Sequence, residues 1–180
     1  MKQALLVIDV QKDYFPGGKL PLYQPDKALT KINQMHDYFI AQHLPIIYIQ
    51  HIKLGKKADF FAANTDGVLF HPQLKVNSTS FKIIKHFPDS FRQTNLHCLL
   101  KEFEIEQLVI CGMMTHMCIN ATTKASTKRN FSPIVLSDAT TTKDLLIEDK
   151  LVKAKDVHES YLINLSKIAT VQTVEEFIFN

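Results

Sequence analysis

Short apolar runs rich in β-branched residues or leucine alternate along this chain with segments of helical periodicity, and that alternation leaves few folds open. The runs are Leu5–Val10, Pro45–Gln50, Leu108–Cys111 and Pro133–Leu136, with Phe81–Ile84 and Ile168–Val171 as weaker members. Such short, nearly continuous apolar runs are how strands buried on both faces read. Between them, residues 26–42 place Ala28, Ile32, Met35, Phe39 and Ile40 at helical spacing behind a Pro25-Asp26 start signal. Residues 94–103 do the same with Leu96, Leu99, Leu100 and Phe103. Residues 119–128 read as a helix of small residues, 145–165 as a further helix or pair of helices, and 174–179 as a short last one. Strands alternating with helices predict a parallel sheet covered on both faces. The expected fold is a three-layer α/β/α architecture around a mostly parallel, six-stranded, Rossmann-like sheet, as a single domain over residues 1–180.

Composition narrows the classes of function. A net charge of +3 with no Lys/Arg block gives nucleic acid no basic patch to hold. The cysteines are Cys98, Cys111 and Cys118, without a CxxC pair, so neither a disulfide framework nor a cysteine zinc site is implied. A reducing, cytoplasmic setting fits that usage. The opening run up to Asp9 ends in an acid with no small-residue cleavage site, so it reads as a first strand and not as a signal peptide. No apolar stretch approaches the roughly 18 residues that span a bilayer.

In open parallel sheets the reactive groups collect at the carboxyl ends of the strands. Asp9, Lys85 and Cys118 all fall at or just beyond such ends. Cys118 follows the run 107–111 and precedes the small-residue helix, a strand–turn–helix context that resembles a nucleophile elbow. Unpaired N–H groups and the helix dipole there would favour a thiolate. Cys98, in a helix, and Cys111, in a strand, read as ordinary core thiols. A buried acid such as Asp9 needs a partner, and Lys85 is the candidate. The least regular segment, residues 52–77, carries Lys56-Lys57, Gly55, Gly67 and Phe60, Phe61 and Phe70, and reads as a functional loop.

Three blocks of sequence resemble one family. Residues 7–15, with Asp9-Val10-Gln11, are similar to its opening strand and Asp-x-Gln. Lys85 with Ser90, Phe91, Thr94 and Leu96 resembles its lysine block, and Gly112-Met113-Met114-Thr115-His116-Met117-Cys118 its Gly-x-x-Thr-x-x-Cys. The family is the isochorismatase-like cysteine hydrolase superfamily, which includes nicotinamidases, N-carbamoyl-amino-acid amidases and isochorismatases. The resemblance implies a catalytic set of Asp9 as base, Lys85 as charge partner and Cys118 as nucleophile, acting on the C–N bond of a small amide or carbamoyl compound through a thioester. It also implies a cis peptide at Met113–Met114, which would set the N–H groups of Met114 and Cys118 side by side as an oxyanion hole. Phe15, His51, Thr115 and His116 are expected around the substrate, with Tyr14, Phe60 and Phe61 as further apolar walls. Family members assemble as dimers or larger, so a homo-oligomer is expected.

The match departs from nicotinamidases in two places. Their metal-binding Asp-x-His after the second strand is absent: His51 stands about where the aspartate would be, with only His71 as a further candidate. His116 replaces an acid often found beside the site. No metal and no other cofactor is therefore expected. The alternatives are a nicotinamidase with an atypical metal site, an isochorismatase-type vinyl-ether hydrolase, and a non-catalytic binding protein on the same fold.

Overall fold

A computed structural model describes residues 1–55 and 58–179, so Lys56 and Lys57 of the irregular segment lie outside the described residues. In chain order the elements are β1 (Gln3–Ile8), α1 (Pro25–Ala41), β2 (Ile46–His51), β3 (Phe81–Lys85), α2 (Leu96–Glu102), β4 (Gln107–Met113), α3 (Asn120–Thr127), β5 (Ser132–Thr141), β6 (Leu145–Ile147), β7 (Lys150–Val152), α4 (Ala154–Leu165), β8 (Thr170–Gln172) and α5 (Val174–Phe179). Six strands form one sheet in the order β3-β2-β1-β4-β5-β8, every neighbouring pair parallel.

The central strand explains the layering. Successive side chains of β1 point to opposite faces. Leu5 and Val7 join Leu29, Ile32, Met35 and Phe39 of α1, with Val174 of α5, while Ala4, Leu6 and Ile8 join Leu96 and Leu100 of α2, Ala125 of α3 and Leu165 of α4. Both faces of β1 are thus sealed, which is why its sequence is apolar without alternation.

Chain order reverses between β1 and β4, and ligands of open α/β sheets bind in the crevice that such a reversal opens. Gly112 lies beside that crevice. Its φ is +118°, and a Cβ there would fall 2.0 Å from the carbonyl oxygen of Ile8. Only glycine allows the two strands to approach so closely at this point.

Two segments differ from the sequence reading. Residues 145–152 form an antiparallel hairpin, β6 with β7, where helix was expected. The turn residues Glu148-Asp149 interrupt the apolar run, with Glu148 in the left-handed region at φ 54°, and α4 starts only at Ala154. Asp144 Oδ1 accepts the Ala154 N–H at 2.7 Å and so sets that start. Cys118 also does not open α3 directly. It sits in a π-helical turn, Thr115–Ile119, in which the N–H groups of Met117 and Ile119 both donate to the Met114 carbonyl, at 3.0 and 3.2 Å. The Met113–Met114 peptide is cis.

Candidate active site

Each of four adjacent strands delivers one polar group to the same edge of the sheet. Lys85 is the last residue of β3 and His51 the last of β2, and the two are register partners. Asp9 follows the last residue of β1, with a left-handed φ of 54° that turns the chain out of the strand. Cys118 arrives from β4 through the π turn. All four are buried, although two of them, Asp9 and Lys85, are of types seldom buried unless partnered.

The partners are one another. Lys85 Nζ lies 2.9 Å from Asp9 Oδ2 and 3.4 Å from His51 Nδ1, and also donates to the Pro88 carbonyl at 3.2 Å. His51 Nδ1 lies 3.7 Å from Asp9 Oδ2 and 3.9 Å from Cys118 Sγ. The Lys85–Asp9 contact is close but not aligned as a hydrogen bond. Among the described residues, neither Asp9 oxygen is filled by a donor.

Burial pushes the Asp9 carboxyl up, but the Lys85 charge, helped by His51, outweighs it and holds Asp9 below the usual carboxylate range. Burial likewise opposes the Lys85 charge, and Asp9 outweighs it, so the ammonium is held. Cys118 goes the other way. Burial, then the Asp9 charge, push its thiol well up, more than Lys85 draws it down. The thiolate expected from the helix start is therefore not favoured here: these surroundings favour a carboxylate, an ammonium and a protonated thiol. The cause is local, since the Asp9 charge and the sealed surroundings oppose the charge on sulfur that the helix end would favour.

Asp9, His51 and Cys118 also offer donor atoms within 4.8 Å of one another, a spacing a metal ion could use. Lys85 argues against that use, because its ammonium already sits against two of the three and repels a second cation. His71 takes no part. It stacks on Phe15 with ring centroids 4.0 Å apart, and its Nδ1 accepts from the Gln73 N–H.

A cavity of about 380 Å³ opens over the thiol. Tyr14, Phe60, Phe87, Pro88, Met114 and Met117 wall it, and His51, Lys53, Leu54, His86 and Cys118 complete it. Of the four residues expected around the substrate, only His51 lines it. Phe15 packs into the core below its stack with His71. The hydroxyl of Thr115 meets His158 Nδ1 at 2.8 Å, and His116 Nδ1 meets the Thr142 hydroxyl, both on the side away from the cavity. Residues three and four apart share one face of a helical turn, so Met114, Met117 and Cys118 reach the cavity while Thr115 and His116, nearer to Cys118 in sequence, do not.

Two residues that sequence reasoning left without a role hold this site together. Gln11 donates to the carbonyls of His51 and Val68 at 2.9 and 2.7 Å and accepts the His51 N–H at 2.8 Å, pinning the end of β2 to the irregular loop. Asp13 accepts the N–H groups of Phe61 at 2.7 Å and Lys19 at 3.2 Å, tying two loops to the cavity wall. The Asp-x-Gln-x-Asp spacing from Asp9 was the signal that could have found them. The lysine block is tied in the same way: Ser90 meets the Thr122 hydroxyl of α3 at 2.9 Å, and Thr94 caps back onto the Ser90 carbonyl at 2.7 Å.

A carboxyl group, an amine and a thiol are thus gathered at the switch point of a parallel three-layer sheet. The profile of the isochorismatase domain matches residues 3–176. The isochorismatase family protein YddQ of Bacillus subtilis (strain 168) is 41% identical over 179 residues, covering 99% of each chain. A crystal structure from Oleispira antarctica, provisionally assigned as an isochorismatase hydrolase, superposes with a TM-score of 0.95 at 35% identity, over 99% of this chain and 97% of that one. Streptothricin hydrolase of Streptomyces noursei is 26% identical over 143 residues, 79% of this chain and 56% of its own length. The chain belongs to the isochorismatase family of hydrolases. No helix among the described residues is long and apolar enough to cross a membrane.

Proposed function

We propose that this protein is a cysteine hydrolase that cleaves the C–N bond of a small amide or carbamoyl compound through a thioester on Cys118. One observation carries the reading: a buried carboxyl group whose oxygens no aligned donor fills lies in one cluster with a thiol, under an apolar cavity. That pairing is a base facing its acid. Asp9 takes the thiol proton as the sulfur attacks the carbonyl carbon, and Lys85 keeps Asp9 ionised until then. The oxyanion that forms is assigned to the N–H groups of Met114 and Cys118, donors typically worth about 3 kcal/mol each. Collapse expels the amine and leaves the thioester, which water then hydrolyses. A relative that is named a streptothricin hydrolase supports hydrolysis on this scaffold.

The test is ammonia release from a panel of small flat carboxamides and ureido compounds, with the acyl adduct sought by intact mass. Cys118→Ala and Asp9→Asn are each expected to lose about a thousand-fold or more in turnover. Turnover that survives in either variant rejects the mechanism.

A further inference from the structure

Met114, Met117 and Cys118 face the cavity from one side of the π turn, and the mechanism makes no use of the other side. That other side is tied down. Thr115, fully buried, meets His158 Nδ1 at 2.8 Å, and His158 Nε2 meets the Ser137 carbonyl of β5 at 3.1 Å. A carbonyl oxygen only accepts, so Nε2 carries a proton and donates it. In the neutral ring Nδ1 is then the acceptor and the Thr115 hydroxyl the donor. Burial is the main influence on His158 and lowers its affinity for a second proton, which favours that neutral ring. Three residues further along α4, the Tyr161 ring stands edge-on to His116 with centroids 5.9 Å apart, and His116 Nδ1 meets the Thr142 hydroxyl. Positions 158 and 161 share one face of a helix, so α4 grips both outer residues of the turn.

A π turn needs such a grip. Its geometry is rare and occurs mostly as single turns. Here it hangs from one carbonyl, that of Met114, which takes the N–H groups of Met117 and Ile119 at 3.0 and 3.2 Å. Without outside support, nothing in the backbone pattern stops the turn from relaxing towards an ordinary helical start and carrying Cys118 with it. We propose that His158 is a positioning residue for the nucleophile: through the Thr115 hydroxyl it holds the turn in the arrangement that presents Met114 and Cys118 to the cavity. His158 touches no reacting atom and acts from behind the turn, with the Ser137 carbonyl as its own anchor. Its bearing on catalysis rests on the thioester reading above, whereas its hold on the turn does not.

Two measurements separate this role from plain support of the fold. The first needs no substrate. Thr115→Val keeps the shape of the side chain and leaves the His158 ring in place. In that variant the amide proton resonances of Met117 and Ile119 should move, because both report bonds to the Met114 carbonyl, while that of Val7 inside β1 stays. Unmoved Met117 and Ile119 resonances, or a spectrum that changes throughout, overturns the hold. The second follows acylation by p-nitrophenyl acetate, at a temperature where circular dichroism shows every variant folded, with the rate of Cys118→Ala subtracted. In His158→Ala and in Thr115→Val the maximal acylation rate should fall about ten- to a hundred-fold, up to the cost of a misplacement of about 1 Å. The half-saturating concentration should stay within about twofold, since binding is not what is lost. The double variant should be no slower than His158→Ala, because both changes cut the same bond. An unchanged rate, a loss confined to half-saturation, or losses that multiply in the double variant overturns the positioning role. A wild type that gains no acetyl group on Cys118 overturns the thioester reading instead, and the resonances still decide the hold.

Discussion

Two buried thiols stand at opposite ends of one turn and have opposite surroundings. Cys111 lies inside β4, packed between apolar neighbours, and among the described residues its one polar contact is with the Leu6 carbonyl at 3.7 Å. Cys118 lies past the end of the same strand, against Asp9 and His51 and under the cavity. Burial pushes both thiols up, and for Cys111 burial is the whole cause. Depth therefore does not distinguish the two sulfurs. What distinguishes Cys118 is a proton acceptor within reach and an open face for a substrate.

The harshest way to break the contrast is to remove the cation that makes the Cys118 region affordable. Lys85→Met leaves Asp9 buried without a counter-charge and should cost about 3–5 kcal/mol of unfolding free energy in urea. Cys111→Ala removes one small side chain from a dry strand, and about 1 kcal/mol is expected. Similar losses for the two variants would mean that the charged cluster has little bearing on stability.

Alkylation sharpens the comparison in kinetic terms. In a Cys98→Ser background, which removes the one exposed thiol, iodoacetamide should modify Cys118 at least tenfold faster than Cys111. The Cys118 rate should climb steadily from pH 7 to pH 9 without levelling, because Asp9 and burial hold the proton on sulfur. Asp9→Asn should raise that rate several-fold at pH 8 while abolishing turnover, since the neighbouring negative charge is gone. A slower reaction in that variant would contradict the assigned electrostatics.

The smallest effect concerns acid. Asp9 has a folded pKa below its unfolded value near 3.8. Its ion pair therefore contributes in full above that value and is lost as pH falls through the lower, folded one. Urea unfolding between pH 5 and pH 2 should show a loss of stability in wild type that Asp9→Asn lacks.

The sheet was legible because each of its strands leaves a local mark. Runs such as Leu5–Ile8 and Leu108–Cys111 are apolar whatever lies beside them. The positions of Asp9, Lys85 and Cys118 at strand ends followed from the same marks. Their company did not. His51 meets Lys85 because β2 and β3 pair in one register, a relation between distant segments that no local pattern encodes. Thr115 and His116 flank Cys118 in sequence, but a π turn rotates them towards His158 and Thr142. The hairpin at 145–152 was misread because leucine and isoleucine suit both periods, and the two-residue turn that decides between them is made of ordinary acids.

Gly112 gains a meaning beyond its close packing against Ile8. Asp9 leaves the end of β1 and Cys118 follows the end of β4, so the reach of one for the other is set where those strands run closest. Their spacing is in this sense written in an absent side chain. A methyl group at position 112 would collide with the Ile8 backbone and part the strands that carry Asp9 and Cys118, a change in the ruler and none in the groups it spaces.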